Sequence, residues 1–118
     1  MKYDYVIFNT DTTQTRYIND QNPDLVIQIF DNETNPFAGL DLTTDTVSLN
    51  MKKLKTTTAK INDIAFTATT PASGIFTFEF LPTHVDETGT FNCQVKITDS
   101  GGKVQTIEKT FQIVISER

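Results

Sequence analysis

Tryptophan is absent from this 118-residue chain, and cysteine and histidine occur once each, as Cys93 and His84. A single cysteine closes no intrachain disulfide, so the fold must be held by packing alone, and cysteine usage leaves the redox compartment undecided. His84 stands in a polar stretch beside Pro82 and Thr83 with no second imidazole or thiol near it in the chain. It reads as a solvated loop residue, because zinc needs three or four nitrogen or sulfur donors and a catalytic triad needs a nucleophile and an orienting partner. Positive charge is also short. Ten Lys and Arg face fifteen Asp and Glu, a net charge of -5, the wrong sign for holding phosphate backbones, so nucleic acid is not an expected partner. Apolar runs such as Ile113 to Ile115 fall far short of the roughly 20 residues that cross a bilayer as a helix. The opening Met1-Lys2-Tyr3-Asp4-Tyr5 is too polar for a signal peptide, so the plain expectation is a soluble protein made in a cytoplasm.

Good helix formers are sparse and seldom spaced by three and four, whereas threonine is frequent throughout. Its branched Cβ suits a pleated surface and its hydroxyl stays wet, which favours β-structure wherever it alternates with Val, Ile and Phe. The clearest case follows the turn-forming corner Asp86-Glu87-Thr88-Gly89-Thr90. From there Phe91, Cys93, Val95 and Ile97 fall on one side and Asn92, Gln94, Lys96 and Thr98 on the other, as a half-buried strand requires. On this parity Cys93 is a small core residue rather than a reactive thiol.

Period two gives about seven strands, the count expected of a single-domain sandwich spanning residues 1–118. Tyr3 to Asn9 is ambiguous in its faces, and Asp11-Thr12-Thr13-Gln14-Thr15 after it reads as a polar connection. Leu25 to Phe30 turns Leu25, Ile27 and Ile29 one way, and 31–36 reads as a loop ending at Pro36. Asp45 to Lys53 turns Val47, Leu49 and Met51 inward, and Lys52, Lys53 and Lys55 at its far end suit a sheet edge. Ile61 to Thr69 places Ile64, Phe66 and Ala68 together, and Pro71-Ala72-Ser73-Gly74 makes a turn. In Gly74 to Leu81, Phe76, Phe78 and Phe80 line one face and should dominate the core. Residues 83–88 form a helical turn or an open corner. Asp99-Ser100-Gly101-Gly102 makes a tight hairpin. The last strand, Val104 to Ile115, mixes parities, so a β-bulge is expected near Thr106 to keep Lys109 from pointing inward.

Few residues invite chemistry. Asp31-Asn32-Glu33 and Asp41 to Asp45 offer hard oxygen ligands, but without a calcium-loop spacing they read as solvated, turn-forming side chains. Tyr3, Tyr5 and Tyr17 could stack on a ligand, though packing is the ordinary role of such residues near strand ends. Gly101-Gly102 opens no helix and cradles no phosphate. No catalytic, cofactor-binding or metal residues are assigned, binding residues are unknown, and an enzyme is not expected.

Several segments in order resemble the amino-terminal domain of the phage baseplate upper protein family. They are Asn9-Thr10-Asp11-Thr12-Thr13 with Tyr17-Ile18, then Leu25-Val26-Ile27-Gln28-Ile29-Phe30, Gly39-Leu40-Asp41-Leu42-Thr43 leading into Val47-Ser48-Leu49, Ser73-Gly74 with Leu81-Pro82, Glu87-Thr88-Gly89-Thr90-Phe91 and Lys96-Ile97-Thr98-Asp99. The resemblance implies an immunoglobulin-like sandwich that docks onto the central tail hub, including the distal tail protein, in several copies per virion. It implies a link to receptor-binding proteins for host adsorption through a carboxy-terminal part lying beyond Arg118, a location in the virion tail baseplate, and no cofactor. The other readings are a saccharide-binding sandwich module and an immunoglobulin-like spacer of a surface protein.

Overall fold

Phe76, Phe78 and Phe80 do share one face, and all three are buried. Phe78 meets Phe66 edge-on at 5.4 Å between ring centroids and Phe80 at 5.2 Å, the geometry the ring quadrupoles favour. Around these rings close two sheets of short strands. The computed structural model describes residues 3–8, 13–21, 24–31, 33 and 35–117, with no α-helix among them.

One sheet, called A, contains β1 (Tyr3–Ile7), β3 (Leu25–Asp31), β8 (Ile75–Phe78) and β7 (Thr67–Thr70) in spatial order, with β4 (Asn35–Gly39) also paired to β3. Sheet B runs β2 (Thr13–Tyr17), β11 (Phe111–Ser116), β9 (Gly89–Thr98), β5 (Thr46–Lys53) and β6 (Ala59–Ala65), with β10 (Val104–Thr106) also on β9. Every pairing is antiparallel except β2 with β11, which is parallel. The result is an all-β, immunoglobulin-like sandwich whose one cysteine, Cys93, is buried and unpaired. β9 alternates as its sequence dictates. Asp99 closes the β9–β10 hairpin, its Oδ1 accepting from the amides of Gly101 and Lys103 at 2.9 Å each, while Gly102 takes the left-handed backbone at φ 86°.

Several expectations are corrected. β2 and β4 lie where connections were read. β2 hides in the sequence because its inward residue, Arg16, is charged. The Lys52-Lys53 end of β5 is no edge, since Lys52 and Lys53 pair with Asn92 and Phe91 of β9 and Lys52 also pairs with Ala59 of β6. The run 61–69 is two strands in different sheets, joined at buried Phe66. Within β6, three steps from Ile61 to Ile64 oppose two steps of β5 from Met51 to Leu49. Asp63 absorbs the extra residue at φ 53°, and this bulge turns Ile61 inward and leaves Ile64 41% exposed. The expected bulge near Thr106 is instead a break between β10 and β11. Ile107 is buried there, its amide donating to Val95 O at 2.9 Å.

Lys109, in that break, guards an edge. Ile29 sends its amide to Gly74 O at 2.9 Å and accepts from Leu40 N at 3.0 Å, so its cross-strand partner Tyr5 turns its own main-chain groups to the free side of β1. There the Tyr5 amide donates to Asp4 Oδ1 and Lys109 Nζ donates to Tyr5 O, both at 2.7 Å. The Tyr5 hydroxyl returns a bond to Lys109 O at 3.0 Å. An edge so occupied offers little to an incoming strand.

Candidate functional site

His84, read as solvated, is 4% exposed, and this corrects the sequence expectation. It ends a 3-10 turn, Pro82–His84, where its Nδ1 accepts the Leu81 amide at 3.0 Å and its ring packs against Phe78 and Phe80. Burial, then Lys60, lowers its pKa. The imidazole is a structural acceptor and an aromatic filler. Cys93 is sealed in the core, and burial pushes its thiol well above the usual range, so it is a poor nucleophile. Tyr5 is a core residue with its pKa raised chiefly by burial, whereas Tyr17 is exposed. The acidic segments make turns: Asp31 Oδ1 accepts from the Glu33 amide at 3.0 Å, and Asp41 Oδ1 accepts from the Thr43 amide at 3.2 Å and from its hydroxyl. Those Thr43 bonds, the hydroxyl's first, lower the Asp41 pKa. Among the described residues no three His, Cys, Asp or Glu side chains converge as a metal site.

At one end of the sandwich a cleft of about 620 Å³ is lined by Asn19, Asp20, Gln21, Asp24, Glu79 and Phe80. Beneath it Arg16 lies over the Phe80 ring at 4.0 Å, with Nε donating to Gln14 Oε1 at 2.9 Å and a guanidinium nitrogen donating to Gln21 O at 3.3 Å. Burial lowers the Arg16 pKa, against the opposing pull of Asp24 and Asp20. Its guanidinium ties the main chain at Gln21 to β2.

The outward face of sheet B is different. A groove of about 230 Å³ is lined by Asn50, Lys52, Ala59, Asn92, Gln94 and Lys96. Period two puts Asn50 and Lys52 of β5 on the same face as Asn92, Gln94 and Lys96 of β9. The register sets Lys52 opposite Asn92, Asn50 opposite Gln94, and Ser48 opposite Lys96. The two lysines therefore bracket the carboxamides diagonally, four residues apart along the strands, or about 13 Å. At the rim Asp63 comes in from the β6 bulge. Its Oδ1 accepts from Asn50 Nδ2 at 2.7 Å and pairs with Lys96 Nζ at 3.1 Å, and its amide donates to Asn50 Oδ1 at 3.1 Å. The Asn50 bond, then Lys96, lowers the Asp63 pKa. Among the described residues the side chains of Lys52, Asn92 and Gln94 have no such partner. Sequence reading passed over this groove because outward Asn, Gln and Lys look merely solvated. The usable signal was that two strands carry amides and lysines outward where the rest of the chain prefers threonine.

No family model and no curated protein matches the chain. Among solved structures it is similar to CopC from Methylosinus trichosporium OB3b, at a TM-score of 0.56 and 6% identity, covering 98% of this chain and 96% of that one. The soluble domain of PmoD from Methylocystis sp. ATCC 49242 (Rockwell) aligns at a TM-score of 0.49 and 12% identity, covering 97% and 90%, and nothing is drawn from it. The likeness to CopC is one of fold. It also overturns the baseplate role: the sandwich expected to dock on a tail hub and connect to receptor-binding proteins is similar to that of CopC. The phage, tail, baseplate and host-adsorption description is withdrawn, and the β-sandwich description stands. Of the readings offered beside that role, an immunoglobulin-like module is only weakly consistent with this likeness.

Proposed function

We propose that this chain is a non-catalytic recognition module whose sheet B groove receives an acidic, extended stretch of polypeptide. The observation that carries the reading is the Asp63 carboxylate, held by Asn50 and Lys96: two of the groove's donors already grip the chemical group a ligand would bring. Carboxamides match a peptide because each offers a donor and an acceptor to a main-chain amide. The lysines at about 13 Å suit acidic side chains some four extended residues apart. A catalytic reading has no such support. The strongly perturbed Tyr5 and Cys93 serve the core, and His84 is tied to Leu81.

Titration of the 15N-labelled chain with hexaglutamate, with hexalysine as control, tests the reading. Solvent-exposed charge pairs are worth up to about 1 kcal/mol each, so a dissociation constant on the order of 1 mM is expected, weakening as salt screens it. Shifts should concentrate at Asn50, Lys52, Asn92, Gln94 and Lys96. Absence of saturable shifts, shifts centred elsewhere, or equal response to hexalysine would refute it.

A further inference from the structure

Asp63 does something for the groove beyond the packing that its bulge serves. The β6 bulge that delivers it puts a non-glycine residue at φ 53° and turns Ile64 to solvent. The bulge lets Ile61 and Phe66, of opposite parity, both reach the core, with Ile64 left outside. It also sets one carboxylate against Asn50 and Lys96, while the amide of Asp63 is received by Asn50 Oδ1. Asp63 and Lys96 are both partly exposed, with side chains 50% and 30% accessible, so the pair is weak and open to exchange.

We infer that Asp63 is a tethered competitor occupying the Lys96 end of the groove, which an incoming carboxylate must displace. The inference rests on the recognition reading above and names how that site is regulated. Lys52, Asn92 and Gln94 make the first contact, because among the described residues they have no side-chain partner to give up. Full engagement follows when the ligand takes Lys96 from Asp63. A tethered group competes at an effective concentration in the millimolar range or higher, so the bulge sets a threshold that isolated carboxylates do not meet and a multiply acidic segment does. Ligands with one acidic group therefore bind at the Lys52 end only.

Two variants test this while keeping the bulge. Asp63→Asn retains the left-handed preference and a carbonyl acceptor for Asn50 but loses the charge, and Asp63→Gly removes the side chain at a backbone angle glycine tolerates. Hexaglutamate affinity is expected to rise about fivefold in both. In the ligand-free protein, the Lys96 ammonium should exchange its protons faster in both variants than in the wild type. Wild type and variants binding hexaglutamate equally would overturn the competitor and leave the recognition reading standing. An unchanged Lys96 ammonium would overturn it without reference to any ligand. Weaker binding by the variants would make Asp63 part of the groove's framework and overturn it too, and binding by none of the three proteins would overturn both readings.

Discussion

The Phe80 end of the sandwich and the outward face of sheet B contain comparable polar chemistry put to opposite ends. At the first, Arg16 and His84 are buried among rings, and their nitrogens bond a loop carbonyl, a neighbouring carboxamide and a main-chain amide. On the second, Asn50, Lys52, Asn92, Gln94 and Lys96 lie in the open with only Asp63 drawing on them. Polar groups that a fold consumes report on stability, and those it leaves available report on recognition. Size is no guide, since the larger cleft belongs to the first region.

The sharpest way to break this contrast is to strike the aromatic cluster. Phe78→Ala removes a ring that touches Phe66, Phe80 and His84, and a loss of about 3–5 kcal/mol is expected from denaturant unfolding. A loss below about 1 kcal/mol would mean the cluster is not the core's centre. Arg16→Ala should cost about 1–3 kcal/mol through the vacated Phe80 face and the unpaired Gln21 carbonyl, with broadened signals at residues 18–21.

Acid should separate the two regions next. Burial depresses the folded-state pKa of His84 relative to its unfolded value. Between the two values the unfolded chain binds more protons, so the His84 contribution is complete above the unfolded pKa, near 6.5, and is lost as pH falls below it toward the folded value. The thermal midpoint of the wild type should therefore drop between pH 7.5 and 5 by more than that of His84→Gln. Parallel curves would show that the imidazole is not linked to folding. The smallest stability effect belongs to the groove. Lys52→Glu should leave unfolding within about 0.5 kcal/mol of wild type while abolishing hexaglutamate binding. A large destabilisation would erase the distinction between the regions.

How much of this was legible beforehand follows the same division. The phenylalanine face, the β9 alternation and the Gly101-Gly102 reversal were readable because side-chain period and turn chemistry are local. β2 was not, because its inward position is filled by Arg16, whose burial depends on a Phe80 ring 64 positions later in the chain. Ile64 was assigned to the wrong face because one left-handed residue inverts a strand's parity, and Asn62-Asp63, though tolerant of that backbone, does not by itself mark which residue adopts it. His84 was misjudged because a ring with one acceptor nitrogen can be satisfied by the main chain alone. The groove needed the β5–β9 register, which no stretch of sequence contains.

The stopper on β1 has a practical side. It depends on one ammonium group, that of Lys109, gripping a peptide oxygen, and an amine is easily modified. Acetylation removes the charge that holds it there, leaving the Tyr5 carbonyl open on the edge. Treating the protein with a lysine-acylating reagent is thus expected to promote self-association, visible as rising light scattering, and Lys109→Met should reproduce the effect without reagent.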